Sequence, residues 1–279
     1  MSEYPIPQLK SLWVEVFNGV DADRSADNFL LRHRPHSCFV KKEGEQIVSM
    51  VFLNPCSWDG VAGYYLYACA TLPQFRGKGY MKNLLNAAFE KAQNENAFGL
   101  ILVPAQPDLF DFYGKCGFQP FSKIAEGRFF AKDVPDAGFD CEKSYDYDVI
   151  TDWRSKFYEP STAVQFEFPH ILHIQNHIIN EQGATLVFEH DGKRGYAFCT
   201  FNPPDKKVVI LEWALISNTL HEDLPQFFKG ICRYFNVFEL SYRSRSGLNL
   251  GSERPFSMIR LCSEKDIPEN PYFNLEMDW

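Results

Sequence analysis

Apolar residues at Leu9, Leu12, Trp13, Val16 and Phe17 recur at helical spacing, which predicts a helix near the start and a second short one from about Ala26 to Arg32. The spacing then changes to that of strands. "SCFVKKEGEQIVSMVFLNPC" predicts a hairpin turning at Glu43-Gly44, and Asp59-Gly60 turns the chain into a third strand, Tyr64 to Thr71. Met81, Leu84, Leu85, Ala88 and Phe89 predict an amphipathic helix, followed by "FGLILVP", a strand apolar on both faces. "DLFDFYGK" reads as a compact helix ending at Gly117, and two short strands are expected around Phe118 to Phe121 and Gly127 to Lys132. After an acidic, turn-rich stretch from Asp133 to Asp148, read as a linker, the outline repeats. A helix from about Pro169 to Gln182 precedes a hairpin turning at Asp191-Gly192, the strand "KKVVILEWALI", the helix "LPQFFKGICRYF" and the strand "VFELSYR". The order strand, strand, strand, helix, strand thus occurs twice, which points to an internal duplication of architecture.

Composition narrows the field. The 279 residues suffice for two domains, and 45% apolar content is that of a globular protein. A net charge of −8 argues against a nucleic-acid binder, which needs a basic face. The eight cysteines are scattered without C-x-x-C spacing, so reduced cytosolic thiols are expected rather than disulfides or a zinc site. No secretory leader and no membrane-spanning run is read, so a cytoplasmic protein is expected.

The candidate chemistry sits where the third strand meets the helix, at Gln74, Phe75, Arg76, Gly77, Lys78 and Gly79. A helix start presents unpaired N–H groups and the positive end of its dipole to an anion, and glycines let a ligand approach the backbone closely. A Walker loop is absent, and Lys82 stands where a dinucleotide fingerprint needs glycine. The stretch instead matches Q/R-x-x-G-x-G/A, and "LYACATLPQFRGKGYMKNLL" with the later "FYGKCGF" resembles the GNAT acyltransferases over about residues 8 to 132. The second half matches in element order alone. "SNTLHEDLPQ" replaces the glycine loop, so that half resembles a GNAT-type fold without its coenzyme site. Such tandems resemble the enhanced-intracellular-survival acetyltransferases, here without their sterol-carrier-like domain, and more distantly the N-myristoyltransferases. The expectation is therefore an α+β chain of two GNAT-type mixed-sheet domains, residues 1–135 catalytic and 146–279 degenerate with a C-terminal tail.

The resemblance implies acetyl-CoA as cosubstrate and an amine acceptor, a small molecule or polyamine first. A protein or peptide N-acetyltransferase and a non-catalytic coenzyme A sensor remain alternatives. It implies that Ala68, Cys69, Ala70 and Thr71 line the pantetheine arm, with a backbone N–H in that strand for the oxyanion. Gln74, Arg76, Gly77, Lys78, Gly79, Tyr80 and Met81 would take the pyrophosphate, and Tyr113 would protonate the leaving thiolate. Tyr113 could otherwise simply pack, and Cys69, with no histidine beside it, reads as an inert thiol rather than a nucleophile. His170, His173 and His177 share a helix face but lack a completing ligand, so a packed or solvated face is favoured over a metal site. Glu212, inside an apolar run, must be paired or face a cavity. The first half offers no obvious general base. In the resembling tandem families the terminal carboxylate takes the amine proton, which implies the α-carboxylate of Trp279, or failing that Asp278 or Glu276; a last strand that merely completes a sheet is the alternative.

Overall fold

Leu9, Leu12 and Trp13 are the buried stripe of helix α1 (Ile6–Phe17), and the apolar period that predicts this helix is the period it uses for packing. The computed structural model describes residues 6–18, 22–27, 29–30, 38–135 and 138–274. Helix α2 (Ala22–Asp27) lies ahead of the stretch expected for it, because Ala22 and Ala26, four residues apart, are its buried positions. The described residues form two compact units: those up to Pro120 with Ser257–Asp266, and Phe121–Phe256 with those from Ile267.

In the first unit β1 (Cys38–Glu43), β2 (Gln46–Trp58) and β3 (Val61–Thr71) run antiparallel. Helix α3 (Tyr80–Asn94) then crosses over to β4 (Gly99–Leu102), parallel to β3. The far side of β4 pairs with Met258–Leu261, the end of β12 (Ser252–Leu261). Two cores flank this sheet. Leu66, Leu84, Leu85, Ala88, Leu100 and Met258 pack together with α4 (Asp108–Gly114), and Trp13, Phe29, Phe52 and Tyr67 meet edge to face with centroids as close as 4.8 Å.

The second unit repeats the order. Helices α5 (Tyr147–Phe157) and α6 (Phe168–Asn180) precede β8 (Ala184–His190), β9 (Lys193–Asn202) and β10 (Lys207–Ile216), and α7 (Leu220–Phe235) crosses to β11 (Glu239–Arg245), parallel to β10. The expected strand pair near 118 and 127 is one continuous strand, β5 (Gln119–Phe130), antiparallel to β11. Gly127, expected to begin the second of those strands, sits in the ladder opposite Tyr242, whose ring fills the place of its missing side chain. Two-residue strands β6 (Glu142–Lys143), on β8, and β7 (Gln165–Phe166) complete the elements.

The stretch read as a linker is part of the second unit's body. The Phe139 ring stacks on Phe188 at 4.2 Å, and a Cβ on Gly230 of α7 would lie 2.1 Å from the Phe139 carbonyl oxygen. Acidic composition hid these contacts, since the apolar residues there are spaced irregularly. Helix α5 was missed for the same reason, although Asp146 caps it by accepting from the Val149 N–H at 3.1 Å. No described helix is long and apolar enough to cross a membrane.

Candidate active site

β3 changes character at its C-terminal end. Phe52 faces Tyr67 and Met50 faces Ala70, so two residues of β3, Ala68 and Cys69, oppose Val51 alone. This is a β-bulge, and Ala68 carries its cost at φ 49°. The extra residue inverts the side-chain alternation beyond it: Cys69 joins Leu66 on the face toward α3, beside Met81 and Tyr113. On the side of β3 away from β2, the parallel ladder with β4 runs over Tyr64–Leu100 and Tyr65–Ile101 and stops there. The strand end is held by Ser49, which donates to the Ala70 carbonyl at 3.0 Å and shares a 2.8 Å hydrogen bond with the Thr71 hydroxyl. Sequence reading missed Ser49; its signal was a lone hydroxyl inside "IVSMVF".

The loop that follows turns back on itself. Arg76 N–H donates to the Pro73 carbonyl at 3.2 Å, and Arg76 Nε donates to the Thr71 carbonyl at 3.1 Å. Gly77 and Gly79 are left-handed at φ 76° and 77°, where a side chain is strained. A Cβ at either would meet nothing within 4 Å, so space lies beyond the loop. Gly79 is the N-cap of α3, no side chain caps the helix, and its first turn has no acidic residue. Lys78 lies 4.7 Å from the Phe75 ring centroid. Tyr80 donates to Glu43 at 2.5 Å, and this bond holds the Glu43 carboxyl below its ordinary range and the Tyr80 phenol above its own. Gln74 is exposed at the start of this curl.

Tyr113 is buried on α4 within the cluster that holds Cys69 and Met81, its ring edge-on to Phe112 and Phe118. The structure thus gathers the bulged strand, the glycine loop, the head of α3 and Tyr113 in the first unit. The terminal residues Glu276, Asp278 and Trp279 lie outside the described residues.

Among the described residues, the second unit fills the equivalent positions with its own side chains. Past Ile210 the parallel pairing of β10 with β11 also stops, but the Leu211 carbonyl accepts from Asn274 at 2.7 Å and the Trp213 carbonyl from Tyr158 at 2.6 Å. At the head of α7 the Asp223 carboxylate accepts from Lys193 at 2.7 Å, from Thr219 at 2.8 Å and from Ser217. An anion of the chain's own sits at this helix start. Glu212 is paired rather than facing a cavity: Arg154 Nε and Nη2 reach its two oxygens at 2.9 and 3.2 Å, and Tyr196 and Tyr272 donate at 2.6 and 3.1 Å. Both members of the ion pair are fully buried. Burial would lower the Arg154 pKa, and Glu212 more than offsets it, so the guanidinium stays charged. On α6, His170 is buried and stacks on Phe166 at 3.9 Å. Among the described residues no group of three or more histidine, cysteine or acidic side chains is arranged to hold a metal.

A model of the acetyltransferase (GNAT) family matches residues 6–118. No curated protein matches the sequence significantly. Among solved structures, a conserved protein of unknown function from Enterococcus faecalis V583, given as a probable N-acyltransferase, aligns over 94% of this chain and 71% of its own, with TM-score 0.75 and 17% identity. Eis1 from Mycobacterium abscessus aligns over 90% of this chain and 70% of its own, with TM-score 0.63 and 9% identity. A tandem GNAT protein from the clavulanic acid biosynthesis pathway aligns over 94% and 96%, with TM-score 0.52 and 11% identity. What is shared at such identities is the fold.

Proposed function

We propose, from the match of residues 6–118 to the acetyltransferase (GNAT) family, that the chain transfers the acetyl group of acetyl-CoA directly to an amine, a small molecule or polyamine. The observation that carries this reading is the junction of the bulged end of β3, past its ladder with β4, with the left-handed loop at Gly77 and Gly79. A strand that parts from its parallel neighbour suits the amide-bearing pantetheine arm, and an uncapped helix start suits a pyrophosphate. The thioester supplies the activated acyl group.

The chain's own residues divide the remaining work. Ala68, Cys69, Ala70 and Thr71 align the arm, and a backbone N–H of this strand donates to the acyl carbonyl oxygen as charge develops on it. Gln74, Arg76, Gly77, Lys78, Gly79, Tyr80 and Met81 bind the pyrophosphate. Tyr113 protonates the departing thiolate from the side where Cys69 and Met81 pack. Cys69 remains a wall of the site, since a direct transfer needs no acyl-enzyme.

The test is thiol release from acetyl-CoA by the full chain against small amines, polyamines and peptide N-termini, with mass detection of products. An acetylated small amine or polyamine is expected. Acetylation of peptides alone would change the acceptor class, and coenzyme binding without any acetylated product would make the protein a sensor.

A further inference from the structure

Arg260 belongs to β12, far in sequence from the glycine loop, yet its side chain lies on α3. Its Nη1 donates to Asn86 Oδ1 at 2.9 Å, and its guanidinium carbon lies 3.8 Å from the centroid of the Phe89 ring. Gly117, left-handed at φ 88°, makes room for it: a Cβ there would lie 3.2 Å from Arg260 Nε. The guanidinium is half-buried, and among the described residues no carboxylate pairs with it. Burial pushes its pKa down, an unusual state for a cation that packing and one amide hold in place.

Lys82 extends the same cluster. It shares a face of α3 with Asn86 and Phe89 by helical spacing. Lys82 and Arg260 both lie near enough to the Cys116 thiol to oppose the burial that raises its pKa, and Arg260 does the same at Cys262. Two cations with neutral neighbours make an anion site. Lys82 lies three positions beyond Gly79, a rise of roughly 4.5 Å, and Asn86 seven positions beyond it, roughly 10 Å. The cluster therefore begins within a ribose's reach of the proposed pyrophosphate loop.

We propose that Arg260 and Lys82 bind the 3′-phosphate of coenzyme A, so that the chain selects coenzyme A over its dephospho form. This rests on the reading of Gln74 to Gly79 as the pyrophosphate loop. A phosphate monoester carries about −1.5 to −2 charges at pH 7 and suits a guanidinium with free donors beside an ammonium. Phe89 and Asn86 fix the guanidinium in advance, which lowers the ordering cost of binding.

The experiment is calorimetric titration of the full chain with coenzyme A and with dephospho-coenzyme A, on wild type, Arg260→Gln and Lys82→Gln. Wild type is expected to prefer coenzyme A by at least about tenfold, as for one charge-assisted contact. Each variant should lose most of that preference while its affinity for dephospho-coenzyme A holds. Lys82 is exposed, so Lys82→Gln decides the matter if Arg260→Gln does not fold. Equal wild-type affinity for the two ligands, or variants that weaken both equally, overturns the 3′-phosphate site and leaves the pyrophosphate loop standing. Binding of neither ligand overturns both.

Discussion

Tyr113 and Glu212 are both polar groups in apolar surroundings, and the structure separates their roles. Tyr113 packs in the cluster that includes Cys69 of the bulged strand, and is the proton donor proposed for the leaving thiolate. Tyr113→Phe is expected to lower turnover by about 10²-fold with coenzyme A affinity nearly unchanged. Steady-state rates with calorimetry check this, and undiminished turnover would leave the hydroxyl no catalytic part. Glu212 is satisfied by Arg154, Tyr196 and Tyr272 inside the second unit. Glu212→Gln strands a buried guanidinium and should cost about 3–5 kcal/mol of stability, read from urea unfolding. The double change Arg154→Met with Glu212→Leu should cost less than Glu212→Gln alone, because no unpaired charge remains.

At the scale of elements, α3 and α7 occupy equivalent places after β3 and β10 but begin differently. Helix α3 starts on a left-handed glycine without a side-chain cap, and α7 starts against the Asp223 carboxylate. Burial tends to raise the Asp223 pKa, but hydrogen bonds from Lys193, Ser217 and Thr219 outweigh it, and the net shift is downward. A carboxylate with a depressed folded pKa adds stability above its unfolded pKa and loses it as pH falls through the folded one. Asp223→Asn is therefore expected to cost about 1–2 kcal/mol at pH 7. Its deficit should vanish at pH values below the ordinary carboxylate range. Thermal melts of both proteins across pH check this, and a deficit independent of pH would count against the charge.

For the whole molecule, the duplicated architecture does not imply duplicated chemistry. The first unit offers an uncapped helix start beside the bulged end of β3. In the second, Asn274, Tyr158 and Asp223 take up the equivalent backbone and helix-start positions. Coenzyme A is accordingly expected to bind once per chain, and the site should be lost in Gly79→Asp, where the position is left-handed, or in Arg76→Glu. Calorimetric stoichiometry reads this directly; two sites per chain would mean that the second unit opens.

The elements with strong periodicity, α1, β2, β3, α3, β10 and α7, were legible along the chain, and so were the glycine loop and its helix. These features depend on residues close in sequence, whose spacing and backbone preferences act locally. The continuous β5, the helix α5 and the packing of the acidic stretch were not legible, because neighbours distant in sequence stabilise them: Tyr242 over Gly127, and Phe188 under Phe139. The same holds for the site. The amino-acid order marked Gly77, Gly79 and Tyr113 by motif, whereas the bulge at Ala68, the support from Ser49 and the placing of Arg260 against Asn86 arise from strand register and close packing. Long-range pairing sets which residue is the extra one in a strand and which buried cation lacks a counter-charge, and local spacing carries no record of either.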